Sequence, residues 1–375
     1  MTEHEAYVAF NMAPDIGYVR LCALAKKHGG VVAAWEAFRE KVDRHGEPIE
    51  WERELCRAER MHVTIVTCDD SRYPASLGSL PSKPLALYVF GDPNALAKKG
   101  IAVVGTRSPT LYGLDMAEKF SYGVARSGYG VISGLAVGVD AAAHKAALSA
   151  GGTTVGVLGG ALDRFFPEDN RDLGRRIALE GGAVVSEYPF GFPPGKQTFP
   201  QRNRIVAALS RGVLAVEAPL QSGTLITCAF ASKIGRKVMA IPANIDSRNS
   251  AGCWKLIREG AAMVTSPEEA VAVVEEDARP VVGEAAGNRK VANVGAARSA
   301  SNRTEPVPKA EPSKKPQMTL EEAAVLKAIP SVGITLDRLA FDTRLPAAIV
   351  GQATMSLRLK RLVRFLPGNR VAPEK

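Results

Sequence analysis

The chain has 375 residues, more than one compact core usually holds, so a large domain with smaller modules attached is expected. Its 46% hydrophobic and 23% charged residues exclude global disorder. The formal net charge of +9 suggests a polyanionic partner, but residues 276–375 carry 17 basic against 10 acidic residues and hold seven of those nine charges.

A nucleic-acid surface in the rest of the chain must therefore be a local patch. Five cysteines (Cys22, Cys56, Cys68, Cys228, Cys253) show no C-x-x-C spacing and are odd in number, against a disulfide framework or zinc site. The N-terminus MTEHEAYVAF has acids where a signal peptide needs a basic start, and no apolar run approaches the ~18 residues of a membrane span. The expectation is a cytoplasmic protein with no membrane segment, metal or cofactor.

From Ala6 to about Cys56 apolar residues such as Leu21, Leu24 and Ala25 recur at helical spacing and break at Gly29-Gly30. Residues 1–68 are expected to form a small all-α module of SAM or helix-hairpin type. Prolines punctuate Tyr73 to Pro93 around a strand from Leu85 to Phe90. From Ile101 to Ser266 short apolar runs alternate with glycines and helical patterns: Ile101–Val104, Gly130–Ile132, Thr154–Leu158, Ala183–Val185, Val213–Val216, Lys237–Ile241 and Met263–Thr265. Such a repeat predicts an α/β core over residues 69–276, Rossmann-like, with a mostly parallel sheet covered on both faces and ligands at the carboxyl ends of its strands. Residues 277–317 lose periodicity and read as a flexible linker. In residues 318–375, three helical segments (Thr319 as N-cap of the first, Glu322 completing a capping box) precede the strand-like runs around Pro367-Gly368-Asn369, the order of a winged helix.

Several strand ends carry groups suited to anions. Gly105-Thr106-Arg107 offers backbone, hydroxyl and guanidinium donors, although such a turn is also common for structural reasons. Asp140 and His144 share a helix face, as an acid–base pair, as metal ligands or as a hydrogen-bonded structural pair. No acid falls between Glu187 and Glu217, while Lys196, Arg202, Arg204 and Arg211 do. Within that stretch Phe199 beside Arg202, Asn203 and Arg204 suits single-strand binding, a π-face for a base and cations for the backbone; the bland alternative is a core Phe with arginines capping a helix. Ser222-Gly223-Thr224 is both a ready anion site and simply a good N-cap. No P-loop, G-x-G-x-x-G, H-E-x-x-H or G-x-S-x-G motif is present.

Together and in order, VVGTR, SGLAVGVDAAAHKAAL, VGVLGGALDRFFPEDNRDL, SEYPFG, FPQRNRIVAALS, VEAPLQSGTLIT and GRKVMAIP resemble the DprA (Smf) family of DNA-processing proteins across roughly Tyr73 to Pro267. The resemblance implies a non-enzymatic protein with an extended Rossmann core that binds single-stranded DNA, dimerises, and helps load RecA recombinase during natural transformation. Carried over, Gly105, Thr106, Arg107, Lys196, Phe199, Arg202, Asn203 and Arg204 would line the DNA site, with Ser222, Gly223 and Thr224 as further phosphate contacts. The chain departs from the pattern at Ala243 and at Cys253-Trp254. The alternative is a nucleotide phosphoribohydrolase-type enzyme on a related fold, for which Glu217 beside Ser222-Gly223-Thr224 is the feature in favour.

Overall fold

The computed structural model describes residues 1–38, 41–276, 319–330, 334–343, 345–360, 362–366 and 370–373. The chain divides into two compact units, Met1–Gly287 and Asn288–Lys375. The linker expected over 277–317 lies outside the described residues.

The first unit begins with helices α1 (Glu3–Met12), α2 (Tyr18–His28), α3 (Val31–Ala37) and α4 (Trp51–Arg60). Thr2 and Glu5 close a capping box at the start of α1, and Phe10, Trp35 and Phe38 form an aromatic cluster inside the helices, with Phe10 edge-on to Trp35 at 5.0 Å. Strands β1 (Val63–Thr67) and β2 (Ala86–Gly91) then lead into β3 (Gly100–Val104), α5 (Leu111–Arg126), β4 (Gly130–Ser133), α6 (Val139–Ser149), β5 (Thr154–Val157), α7 (Arg171–Leu179) and β6 (Ala183–Ser186). After these come α8 (Thr198–Leu209), β7 (Gly212–Ala215), α9 (Gly223–Lys233), β8 (Lys237–Ala240), α10 (Ala251–Arg258), β9 (Ala262–Met263) and α11 (Pro267–Glu276).

These strands make one nine-stranded sheet in the order β1-β2-β6-β5-β4-β3-β7-β8-β9. From β6 to β9 every neighbouring pair is parallel; β1 and β2 add an antiparallel edge. The Rossmann-like core expected from the alternating runs is thus present. Strand β1, which periodicity did not single out, belongs to the same sheet although it lies within the residues assigned to the N-terminal helical module.

Side-chain alternation along β3 shows why both faces are apolar. Ala102 and Val104 join the cluster under α8, α9 and α10, whereas Ile101 and Val103 join the one under α5, α6 and α11. Helices α1 and α4 pack on β1 and β2 through Val8, Ala58, Val63, Ile65 and Tyr88. Polar contacts fix them there: Asn11 donates to the Glu187 carbonyl (3.1 Å), Phe190 N–H to Glu54 (2.8 Å), and Arg57 to Asp163 (2.7 Å).

The second unit contains α12 (Leu320–Ala328), β10 (Ile334–Thr335), α13 (Leu336–Thr343), α14 (Ala347–Leu359), β11 (Val363–Leu366) and β12 (Arg370–Pro373). Its antiparallel sheet has the order β10-β12-β11 and shares a core of Val325, Leu339, Val350, Leu357, Val363 and Val371 with the helices. Three helices with a small sheet match the winged-helix expectation; β10, two residues long, was not foreseen. Glu322 completes the capping box with Thr319 and also accepts from Ser356 and Lys360, and this set of partners holds its carboxyl down to about 2.

Candidate nucleic-acid interface

In a parallel sheet, chain order running outwards in both directions leaves a crevice at the carboxyl ends of the two strands where the order reverses. Here those strands are β3 and β7. Thr106 N–H donates to the Glu217 carbonyl at 2.7 Å, closing the two strand ends together. Gly138 comes up beneath this loop with φ +85°, a conformation L side chains rarely adopt, and a Cβ there would sit 2.6 Å from the Thr106 carbonyl.

An open depression of about 520 Å³ lies over this point. Gly105, Thr106 and Arg107 line it from β3, Lys196, Phe199, Arg202 and Asn203 from α8 and the loop before it, and Ser222, Gly223 and Thr224 from the start of α9. Ten of the eleven residues expected at the DNA site therefore meet in one place. Arg107 holds its guanidinium 5.2 Å from the Phe199 ring centroid, and neither Arg107 nor Lys196 makes an ion pair among the described residues. Both cations are exposed. Asn203 donates to the Gly223 carbonyl at 3.2 Å, tying α8 to the first turn of α9. That turn presents N–H groups with no partner inside the helix, and the Ser222 hydroxyl beside them is buried without a partner.

Two of the expected arginines act differently. Arg202 lines the floor of the depression but is only 5% exposed, its guanidinium donating to the Gly134 and Val157 carbonyls and its Nε to Asn203 at 3.2 Å. A Cβ on Gly134 would lie 2.6 Å from this guanidinium, so any side chain there would displace Arg202 from its two carbonyls. Burial pushes the Arg202 guanidinium down to about 10, against the pull of Asp140, and leaves it protonated at neutral pH. Arg202 thus pins the ends of β4 and β5 to α8. Arg204 does not line the depression: it turns away onto Glu187 in an ion pair whose side chains are 18% and 13% exposed.

Asp140 and His144 do not form an acid–base pair. Asp140 accepts from Gly134 N–H (3.1 Å) and Ala136 N–H (3.4 Å), and burial raises its carboxyl above the usual range despite Arg202. His144 Nδ1 meets the Thr154 hydroxyl at 2.7 Å in the core, where burial pushes its imidazole down to about 3. Glu217 is 1% exposed and accepts from both the backbone N–H (2.8 Å) and hydroxyl (2.9 Å) of Thr110, at the start of α5. No group of three or more His, Cys, Asp or Glu suited to a metal occurs among the described residues.

Gly134 and Phe166, left out of the expected DNA-site set, also lie at this edge of the sheet. Phe166 is 47% exposed and lies against Phe199, ring centroids 5.8 Å apart. The signal was available, since the FFPEDN segment follows a strand end of the same edge.

A profile of the family described as DNA recombination-mediator protein A matches residues 64–275. The chain belongs to that family. Protein Smf of Synechocystis, a curated relative, is 35% identical over 321 residues, which span 82% of this chain and 79% of that protein. The crystal structure of DNA processing protein A from Streptococcus pneumoniae aligns with a TM-score of 0.59 and 32% identity, covering 72% of this chain and 98% of that one. DNA processing protein A from Helicobacter pylori, studied for its single-stranded DNA binding mode, aligns with a TM-score of 0.52 and 29% identity over 58% of this chain and 98% of its own. The matched region of the recombination-mediator family contains every residue of the depression.

Proposed function

We propose that this protein binds single-stranded DNA without sequence preference in the depression at the ends of β3 and β7, and that as a homodimer it delivers the strand to RecA recombinase. The observation that carries the reading is the meeting of two cations with no ion pair among the described residues, a half-buried aromatic and a helix N-terminus on one open surface. Phosphates pair with Arg107, Lys196 and the first turn of α9, whose N–H groups and dipole favour an anion. A base stacks on Phe199, a contact every nucleotide can make. Gly105, Thr106, Asn203, Ser222, Gly223 and Thr224 shape the surface, with Arg202 as its internal support. The Helicobacter pylori relative's single-stranded DNA binding mode agrees with this reading.

The role is non-catalytic. Glu217, the one acid that favoured a nucleotide hydrolase, is taken up by Thr110. Incubation with nucleoside monophosphates should release no free base. The direct test is a titration with single-stranded and blunt duplex oligonucleotides over a range of salt. Single strands should bind tighter, with a logarithmic salt slope of roughly 0.7 per neutralised phosphate, and Arg107→Ala should lower that slope by about one phosphate equivalent. Equal affinity for the duplex would reject the proposal.

A further inference from the structure

Beyond Arg107 and Phe199 the depression does not end. A second hollow of about 670 Å³ shares both residues, and Gly134, Ala136 and Arg202, with the first. It follows the same carboxyl edge of the sheet past the ends of β4 and β5. On its rim stands Phe166, half in water and inclined 44° to the Phe199 ring. A phenyl ring this open on the edge of a site for stacked bases offers a face on which a base can lie.

The charges around it narrow what this face takes. Asp163 is occupied by Arg57 (2.7 Å) and by Gly191 N–H (2.9 Å). The exposed rim then carries Arg164 and Arg171 against Glu168 and Asp169, with Arg171 3.6 Å from Glu168. The rim that the second hollow adds is thus close to neutral, whereas the first adds Lys196 to the shared Arg107 and Arg202, and Asp140, the acid among its lining residues, is buried. Phosphate pairing therefore belongs to the first hollow and apolar stacking to the second.

We propose that Phe166 is a second base-stacking position, so that a single strand lying on Phe199 continues along the sheet edge towards Phe166. This rests on the function proposed above and adds to it the direction of the strand. Full-length wild type, Phe166→Ala, Phe166→Leu and Phe166→Tyr, with Arg107→Ala alongside, are titrated with a single-stranded oligothymidylate at several salt concentrations, and thermal unfolding of each verifies the fold. Phe166→Ala and Phe166→Leu should weaken binding by about fivefold to a hundredfold with an unchanged salt slope, and Phe166→Tyr should bind as wild type does. Phe166→Leu binding like wild type, or Phe166→Tyr losing as much as Phe166→Ala, overturns the second position while leaving the first intact. Wild type that fails to bind, or that is indifferent to Arg107→Ala, overturns both.

Discussion

Arg204 and Glu187 are drawn together in a site that water barely reaches, and burial pushes the Glu187 carboxyl up against the opposing pull of Arg204. Removing the cation leaves a carboxyl in that site without its partner, so Arg204→Ala should cost on the order of 2–4 kcal/mol, somewhat below a fully buried pair. The melting temperature should fall by several degrees, and adding Glu187→Gln should recover part of the loss. The salt slope of DNA binding should stay that of wild type; a flattened slope would put Arg204 back on the strand. His144 carries a pH effect. The Thr154 hydroxyl donates to the Val131 carbonyl at 2.7 Å, so His144 donates from Nδ1 and its Nε2 is bare and buried. Its folded pKa of about 3 lies below the unfolded value near 6.5. Between these values only the unfolded chain binds the proton, so the stability tied to this residue is full above about pH 6.5 and drains away as pH falls towards 3. Asp140 and Glu187, with raised values, act in the opposite sense, which makes the comparison with His144→Gln the informative one. The urea midpoint of His144→Gln should decline less steeply from pH 7 to pH 4 than that of wild type, and parallel profiles would refute the assignment.

At the scale of elements, the strands that sequence revealed are short apolar runs ended by a glycine, a proline or a polar turn, as in Val155-Gly156-Val157-Leu158-Gly159. Burial on both faces makes such runs continuous. Strand β1 escaped because VTIVT follows directly on the charged helix α4, and β10 because two residues carry no period. The same limit explains Arg204. Once α8 is known to start at Thr198, helical phase puts Phe199 and Asn203 on one face and Arg204 well round from it, but a flat motif treats all of them as neighbours. Arg202 was unreadable for another reason: its partners are carbonyls of two other elements, and nothing in FPQRNR records them. The loop under β3 gives an element-scale test. Gly138→Ala combines a strained φ with a collision against Thr106, so it should destabilise by about 1–3 kcal/mol and weaken DNA binding through displacement of Arg107. Unfolding and binding curves that match wild type would show that the loop relaxes freely.

Across the whole molecule, composition marks residues 277–317 as the place to cut. Limited proteolysis is expected to cleave there and leave a core that keeps its single-strand binding, while the N-terminal helices stay attached through Asn11, Glu54 and Arg57 and through β1 in the sheet. A core that loses all binding would move the site to the C-terminal unit. There, Ile349 and Met355 of α14 and Phe341 of α13 are exposed. No helix among the described residues is long and apolar enough to cross a membrane. Charge pointed to a polyanion from the outset, but its concentration in residues 276–375 leaves the core with a net of only about +2. Because Arg202 stitches the floor of the depression to carbonyls at two strand ends, the protein has little room to adapt, and the conformational adjustment falls on the polynucleotide. A thymidylate run, which hardly stacks on itself, gives up little order to lie on separate rings, whereas an adenylate run must first break its own helix of bases. In competition at equal length and salt, oligothymidylate should displace oligoadenylate, so a protein that reads no sequence would still sort strands by their stiffness.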